Sequence, residues 1–447
     1  MESTVNDSIV SSREEILSIY GPLRVFANRV IQRFLGLGIP NRLDNWYKPI
    51  TGIGYEVETR SGPDLRRIAF EMSAHITVVD GYNDVRNIIV GSPGLSDYFC
   101  RDGMGIRADP PDEYSLGQRL LSFVYEAATS SYEREQSLSD LDPGFDVAFE
   151  KLKGELLSPY LTRQIVALLH RTRIEGGFEI GDGVKIRPAS LKERNDYIGR
   201  SATIAFGAPA PLDTSIRPII HSESLLEIRL NGPRTLRWEL PAIDTLLEQS
   251  LGSLRIDPGV AVPVIATYIM LDSVGYTYGT GVIQRAEPLP QLEWQTISSD
   301  SIETARLLLE KFQSSPNRLF VETAVRRLNS GLARLKAEDA FIDYMVGMES
   351  MMTDQKQTGE ITYKISMRTS AMIGSSLAER AEIKRDMNAL YGKRSGVLHG
   401  KPNSTDLTAD VKRLNSYLRR LIKTLLYLEE LFQPNTADMR LLEGFDR

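Results

Sequence analysis

Arg394 and His399 stand five positions apart in LYGKRSGVLHGKP, Leu390 to Pro402, and they form the pair best suited to chemistry on a phosphate. Arginine presents a planar fork of donors that matches phosphate bidentately. Histidine changes charge near neutral pH and can take or give a proton there. Ser395 adds a hydroxyl beside the arginine, and Lys393 and Lys401 add cations on either side. Tyr391 lies one turn before Ser395, where its ring either stacks on a base or packs internally.

The segment reads as the end of a helix, with Ile383, Met387, Leu390 and Val397 at helical spacing. Position 394 is where that stripe calls for its next buried residue. A guanidinium on an inward face is costly unless an anion meets it. Two readings follow, and they are compatible. Arg394 pairs with an internal carboxylate, for which Glu349 is the candidate, or it lines a cleft and meets a substrate phosphate. Gly400 reads as a left-handed cap after His399, and Pro402 stops the helix. Five residues at 100° each set the two side chains about 140° apart. They converge only through a distorted last turn, which Gly396 would ease, or through a second copy of the helix. The spacing therefore points to a homodimer or higher homo-oligomer with a composite cleft. Arg163 and His170 show a similar spacing within TRQIVALLH, read as a continuing apolar helix whose histidine is a packing residue.

The elements that position this pair differ along the chain. Beyond residue 300, apolar residues step by three and four in five stripes. They are Val321 to Leu335, Phe341 to Met352, Ile361 to Met372, Ile383 to Val397, and Val411 to Phe432. Each stripe covers one face, so the helices need one another and predict a bundle over 301–434. The fifth stripe fits either bundle core or a dimer seam.

Residues 1–145 read as a mixed region and 146–300 as an α+β region, with 435–447 a tail. A helix is expected over 12–36, capped by Ser11 or Ser12 and kinked or split at Gly21-Pro22. Short strands are expected around Ile68 to Val79, a loop from Pro93, and a helix over 116–132. Helices follow at 146–157 and 160–172, then a hairpin with Asp182-Gly183 at its tip and a short helix in LKERNDYIG. Strands are expected in SATIAFG, SLLEIRL, TLRWEL and GVAVPVIATYIML, with a helix near 241–254. The fold class is thus α+β, a mixed front followed by an all-α bundle.

The 447 residues carry a formal charge of −6. Residues 301–434 nonetheless hold 21 Lys and Arg against 16 Asp and Glu. A basic back suits a polyanion, and an acidic front suits something else. Cys100 is the single cysteine, and His75, His170, His221 and His399 lie outside chelating spacing of one another. Neither a disulfide framework nor a structural zinc site is expected, nor any metal or cofactor. No apolar run is long enough to span a membrane, and the polar start does not read as a secretory signal. A reducing cytoplasm is the simplest compartment.

The segment from about Asn317 to Phe432 resembles the HEPN superfamily, in its Apea-like branch. There a helix with a pattern like LExLL precedes one ending lYxxRSxxxHG. Here the first appears as VGMESMMT, with Met348 where leucine is usual, and the second as LYGKRSGVLHG. The resemblance implies a metal-independent endoribonuclease working as a homodimer, with Arg394, His399 and Ser395 at the reaction centre and Glu349 in support. RNA brings its own nucleophile, the 2′-hydroxyl, so such a pair needs no metal. Ser395 would bond phosphate or orient His399, and Lys393, Lys401 and Tyr391 would contact RNA. The resemblance further implies an antiphage, growth-arresting effector. A phage-derived or nucleotide trigger would then act on the front region, which would sense it or occlude the cleft. HEPN domains also serve as inactive nucleic-acid- or protein-binding modules, which is the alternative.

Overall fold

The computed structural model describes residues 10–37, 42–49, 55–63, 65, 67–100, 113–204, 219–233, 240–256, 263–274, 294–353, 361–398 and 407–442. It is α+β, with a mixed front and a helical C-terminal part. Two compact units share the chain. One takes residues 1–166, 228–239 and 268–283, and the other takes 167–227, 240–267 and 284–447. Both are discontinuous in sequence, where the sequence suggests consecutive blocks.

In the first unit, α1 (Arg13–Gly36) buries Ile16, Ile19, Leu23, Phe26, Val30 and Phe34 along one face. Ser12 and Glu15 close a capping box at its start. Pro22 does not split it. Proline at 22 leaves the carbonyl of Ser18 without a donor, and Ser18 is exposed, so water serves that group. A hairpin of β1 (Arg42–Pro49) and β2 (Tyr55–Gly62) follows, antiparallel with Arg42 opposite Gly62. The expected strands around Ile68 to Val79 are instead α2 (Arg67–Ser73) and a short 3-10 turn at Ile76–Val78. Ile68, Met72 and Ile76 are buried four apart, a helical period that the β-branched residues obscure. Helix α3 spans Tyr82–Gly91. The expected loop at Pro93 opens as α4 (Pro93–Phe99), with proline at its first turn. Helices α5 (Glu113–Glu135) and α6 (Asp142–Leu156) complete the unit's core. They approach so closely that a side chain at Gly144 would stand 2.1 Å from the Ala127 carbonyl.

A five-stranded sheet has the order β5-β6-β7-β3-β8. Its strands are β3 (Tyr160–Leu169), β5 (Phe178–Gly181), β6 (Val184–Pro188), β7 (Ser224–Pro233) and β8 (Val264–Asp272). The pair β4 (Thr172–Arg173) and β9 (Gln295–Thr296) runs parallel beside the chain reversal at Arg171, which sits at φ 45°. The segment 160–169 is therefore a strand where a helix is expected. It alternates exposed and buried at its start and is buried throughout its second half, and a doubly covered strand has no period to separate it from a helix. The hairpin β5–β6 forms as expected, with Gly183 at φ 66°. The stretch SATIAFG starts inside α7 (Leu191–Ile204) and not in a strand, and its last three residues lie outside the described residues, as does TLRWEL through Glu239.

The second unit holds α8 (Leu240–Arg255) and the bundle: α9 (Ser299–Ser314), α10 (Arg318–Leu332), α11 (Ala337–Met352), α12 (Ile361–Ile373), α13 (Leu377–Leu398), α14 (Thr408–Leu426) and α15 (Pro434–Leu442). All five expected stripes fall on helices, though the first ends at Leu332, with Leu335 exposed beyond it, and Phe341, Met345, Met348 and Met352 are buried in full. The fifth stripe is core, because Leu414, Leu418, Leu421, Ile422, Leu425 and Leu426 are all buried within one chain. Helix α14 ends at Leu426, short of Leu428 and Phe432. The buried amide of Asn317 explains the stop. Its nitrogen donates to the carbonyls of Leu425, Leu428 and Glu430, and its oxygen accepts from Phe432 N at 2.6 Å. The tail at 435–447 begins as α15, which Arg368 holds through Asp438 with bonds of 2.9 and 2.8 Å.

Candidate functional site

Helix α13 carries the pair's arginine. Ile383, Met387 and Leu390 bury its inner face, and the next turn brings Arg394 to the bundle at 29% side-chain exposure. Helix α11 brings Glu349 to meet it, at 18%. Arg394 Nη2 donates to Glu349 Oε2 at 3.1 Å. Nε stands 2.6 Å from Oε1 but off the line of its N–H, so that contact is ionic rather than a formed hydrogen bond. This is the carboxylate the sequence singles out, and it meets a guanidinium that would otherwise be costly to bury.

Tyr391 lies against both groups. Its ring centroid is 5.7 Å from Arg394 Cζ. Burial, the Glu349 charge and a hydrogen bond to that carboxylate push its phenol above the ordinary tyrosine range, while Arg394 opposes them. The ring is half-buried and packs against the bundle core. Lys393 turns the other way. Its Nζ meets Asp410 Oδ2 at 2.5 Å, in the first turn of α14, where a carboxylate also suits the helix dipole. Ser395 is exposed on the outer face of α13. His399 and Lys401 lie outside the described residues. The structure thus gathers Arg394, Glu349 and Tyr391, and commits Lys393 to a separate ion pair.

Glu349 engages the Nε and Nη2 edge of the guanidinium. Arginine has five N–H donors, so a second anion has the Nη1 side to approach. A guanidinium fixed in this way is of the type that meets phosphate oxygens through its remaining donors.

The basic surplus of the bundle is partly spent internally. Asp343, nearly buried, accepts from both Arg327 and Arg334 at 2.8 Å. Arg420 pairs with Glu379, and Arg413 with Asp386.

His170 ends β3 and is buried, with Nδ1 lacking a hydrogen-bond partner. Burial, with Arg171 and His221 nearby, lowers its pKa to about 4. It remains a packing residue, as expected, though on extended chain. There, seven positions put two side chains on opposite faces, which ends any likeness to Arg394 and His399.

Sequence reasoning missed Glu155. This half-buried carboxylate accepts from Tyr98 at 2.5 Å, Ser273 at 2.6 Å and the Val274 backbone at 2.9 Å. Its partners are far away in sequence, so no local spacing announces them. Among the described residues no group of three His, Cys, Asp or Glu side chains is placed to hold a metal ion. No helix among them is long and apolar enough to cross a membrane.

No family model, no curated protein and no solved structure matches this chain.

Proposed function

We propose that this chain is a metal-independent endoribonuclease of the HEPN type, with its reaction centre at the end of α13. The observation that supports the reading is the Arg394–Glu349 pair. Two motifs read separately from the sequence meet in space, and the cation they orient lies at the bundle surface.

In this reading the RNA 2′-hydroxyl attacks the adjacent phosphorus and the 5′-oxygen leaves. The products are a 2′,3′-cyclic phosphate and a 5′-hydroxyl. His399 moves the protons, taking one from the 2′-hydroxyl or giving one to the leaving oxygen. Arg394 stabilises the charge on the phosphorane-like oxygens, with Glu349 fixing its orientation before substrate arrives. Ser395 bonds phosphate or orients His399. Lys401 attracts the backbone, and Lys393 does so only by leaving Asp410. Two subunits complete the cleft. The protein is a cytoplasmic antiphage effector, and a phage-derived or nucleotide trigger acts on its front region.

Incubation with total cellular RNA in EDTA, followed by sequencing of the new ends, tests this reading. It predicts cyclic phosphate ends from wild type. Ends bearing a 3′-hydroxyl, or loss of cleavage in EDTA, would point to a metal-dependent route. The second reading, an inactive binding module, draws on the same pairing, since Glu349 and Asp410 neutralise Arg394 and Lys393. Salt-sensitive RNA binding without new ends would favour it.

A further inference from the structure

Helix α13 presents a second feature, a ribbon along the side that flanks its buried face. Taking Lys384 as the reference direction, Leu377, Arg380, Asn388, Tyr391 and Ser395 all fall within about 40° of it on an ideal helix. This ribbon carries two cations, an amide, a hydroxyl and a ring, and no carboxylate. The acidic residues of α13, Glu379, Glu382 and Asp386, fall about 140° or more away. Glu379 is paired with Arg420, and Asp386 accepts from the Tyr417 hydroxyl at 2.8 Å.

Helix α12 adds an aromatic ring beside the ribbon. Tyr363 is 53% exposed, and Lys384 Nζ lies 5.7 Å from its ring centroid. The ring does not contribute to the bundle core, so burial does not account for it. An exposed ring beside an ammonium offers a base a surface to stack on and its phosphate a charge. Tyr391, on the same ribbon, leads from that platform to the Arg394 guanidinium. Lys384 and Arg394 are ten residues apart, or about 15 Å along the helix. At about 3.4 Å per stacked nucleotide, that distance spans about four nucleotides.

We propose that Tyr363 and Lys384 form a binding subsite for single-stranded RNA, about four nucleotides from the bond being cut. The proposal rests on the nuclease reading for the position of that bond. A duplex buries its base faces in its own stack, so a ring platform selects unpaired strands. The subsite makes this enzyme prefer an unpaired run over a short fragment or a paired stem.

The test uses the full-length protein and a 12-nucleotide single strand with 2′-O-methyl groups, which blocks attack by the 2′-oxygen. Binding is read by fluorescence anisotropy in EDTA. Tyr363→Ala is expected to weaken binding about tenfold, and Tyr363→Trp to restore or exceed it. Lys384→Gln is expected to reduce the slope of log affinity against log salt by about 0.7, one phosphate's share. Cleavage of an unmodified trinucleotide, too short to reach Tyr363, should be unchanged in Tyr363→Ala. Equal binding by wild type and Tyr363→Ala would overturn the subsite, as would an equal loss on the trinucleotide. If Tyr363-dependent binding persists while wild type cleaves nothing, the nuclease reading falls and the RNA track stands. If wild type binds no RNA, both fall.

Discussion

At the scale of single residues, Glu349 has, in the nuclease reading, two opposed effects on a substrate phosphate. It holds Arg394 in place, and it competes for the same cation. Glu349→Gln should therefore split the kinetic constants, lowering KM because the competitor is gone and lowering kcat because the guanidinium is less fixed. Steady-state cleavage of a defined oligonucleotide measures both, and a purely structural glutamate would move neither. The same change leaves a half-buried cation uncompensated, and the expected loss of stability is about 1–2 kcal/mol, read by urea unfolding. His170 supplies a pH test. Its pKa is about 4 in the fold because burial disfavours the charged ring, against about 6.5 when unfolded. The unfolded chain therefore binds the proton first on acidification. The histidine's contribution is intact above about pH 6.5 and is lost as pH falls toward 4. Thermal melts should fall across that window, and His170→Gln should flatten the fall. An unchanged slope would remove His170 as the cause.

At the scale of elements, what the sequence made legible follows from period and contact range. The bundle helices carry stripes of one-sided burial, and α13 and α14 are visible from Ile383, Met387, Leu390 and the leucines after 411. The strand at 160–169 is not, because burial on both faces of IVALL erases the alternation that marks a strand. The helix at Arg67–Ser73 is hidden by its shortness and by β-branched neighbours. The pairing of Arg394 with Glu349 was legible because an arginine fell on an apolar stripe and demanded an anion. Asn317 was not, because its partners lie more than a hundred positions away. Its amide sets the end of α14, and Asn317→Ala should cost about 2–4 kcal/mol by orphaning several buried backbone groups. Denaturant unfolding would show this, and a loss below about 0.5 kcal/mol would refute the capping role. Gly331 lies under Tyr344, where an added methyl would come 2.2 Å from a ring carbon. Gly331→Ala should lower stability by about 1–3 kcal/mol through overpacking of α10 against α11.

At the scale of the whole molecule, the bundle is not detachable at residue 300. Helix α8 belongs to the same compact unit. Asn329 donates to the Glu248 backbone at 3.0 Å and to its side chain, and a methyl at Gly252 would stand 2.6 Å from Val325 Cγ1. A fragment of residues 299–447 should expose that face of α10, melt below the full chain and show reduced near-ultraviolet dichroism. A fragment as stable as the full chain would contradict this. The proposed restraint by the front region is therefore better tested in the intact protein than by deletion. Arg394 and His399 carry the proposed chemistry. Wild type, Arg394→Ala and His399→Ala, each confirmed folded by its melt, are incubated side by side with one labelled RNA in EDTA. Cleavage by wild type and none by either variant is the predicted result. Undiminished cleavage by either variant, or none by wild type, would contradict the account.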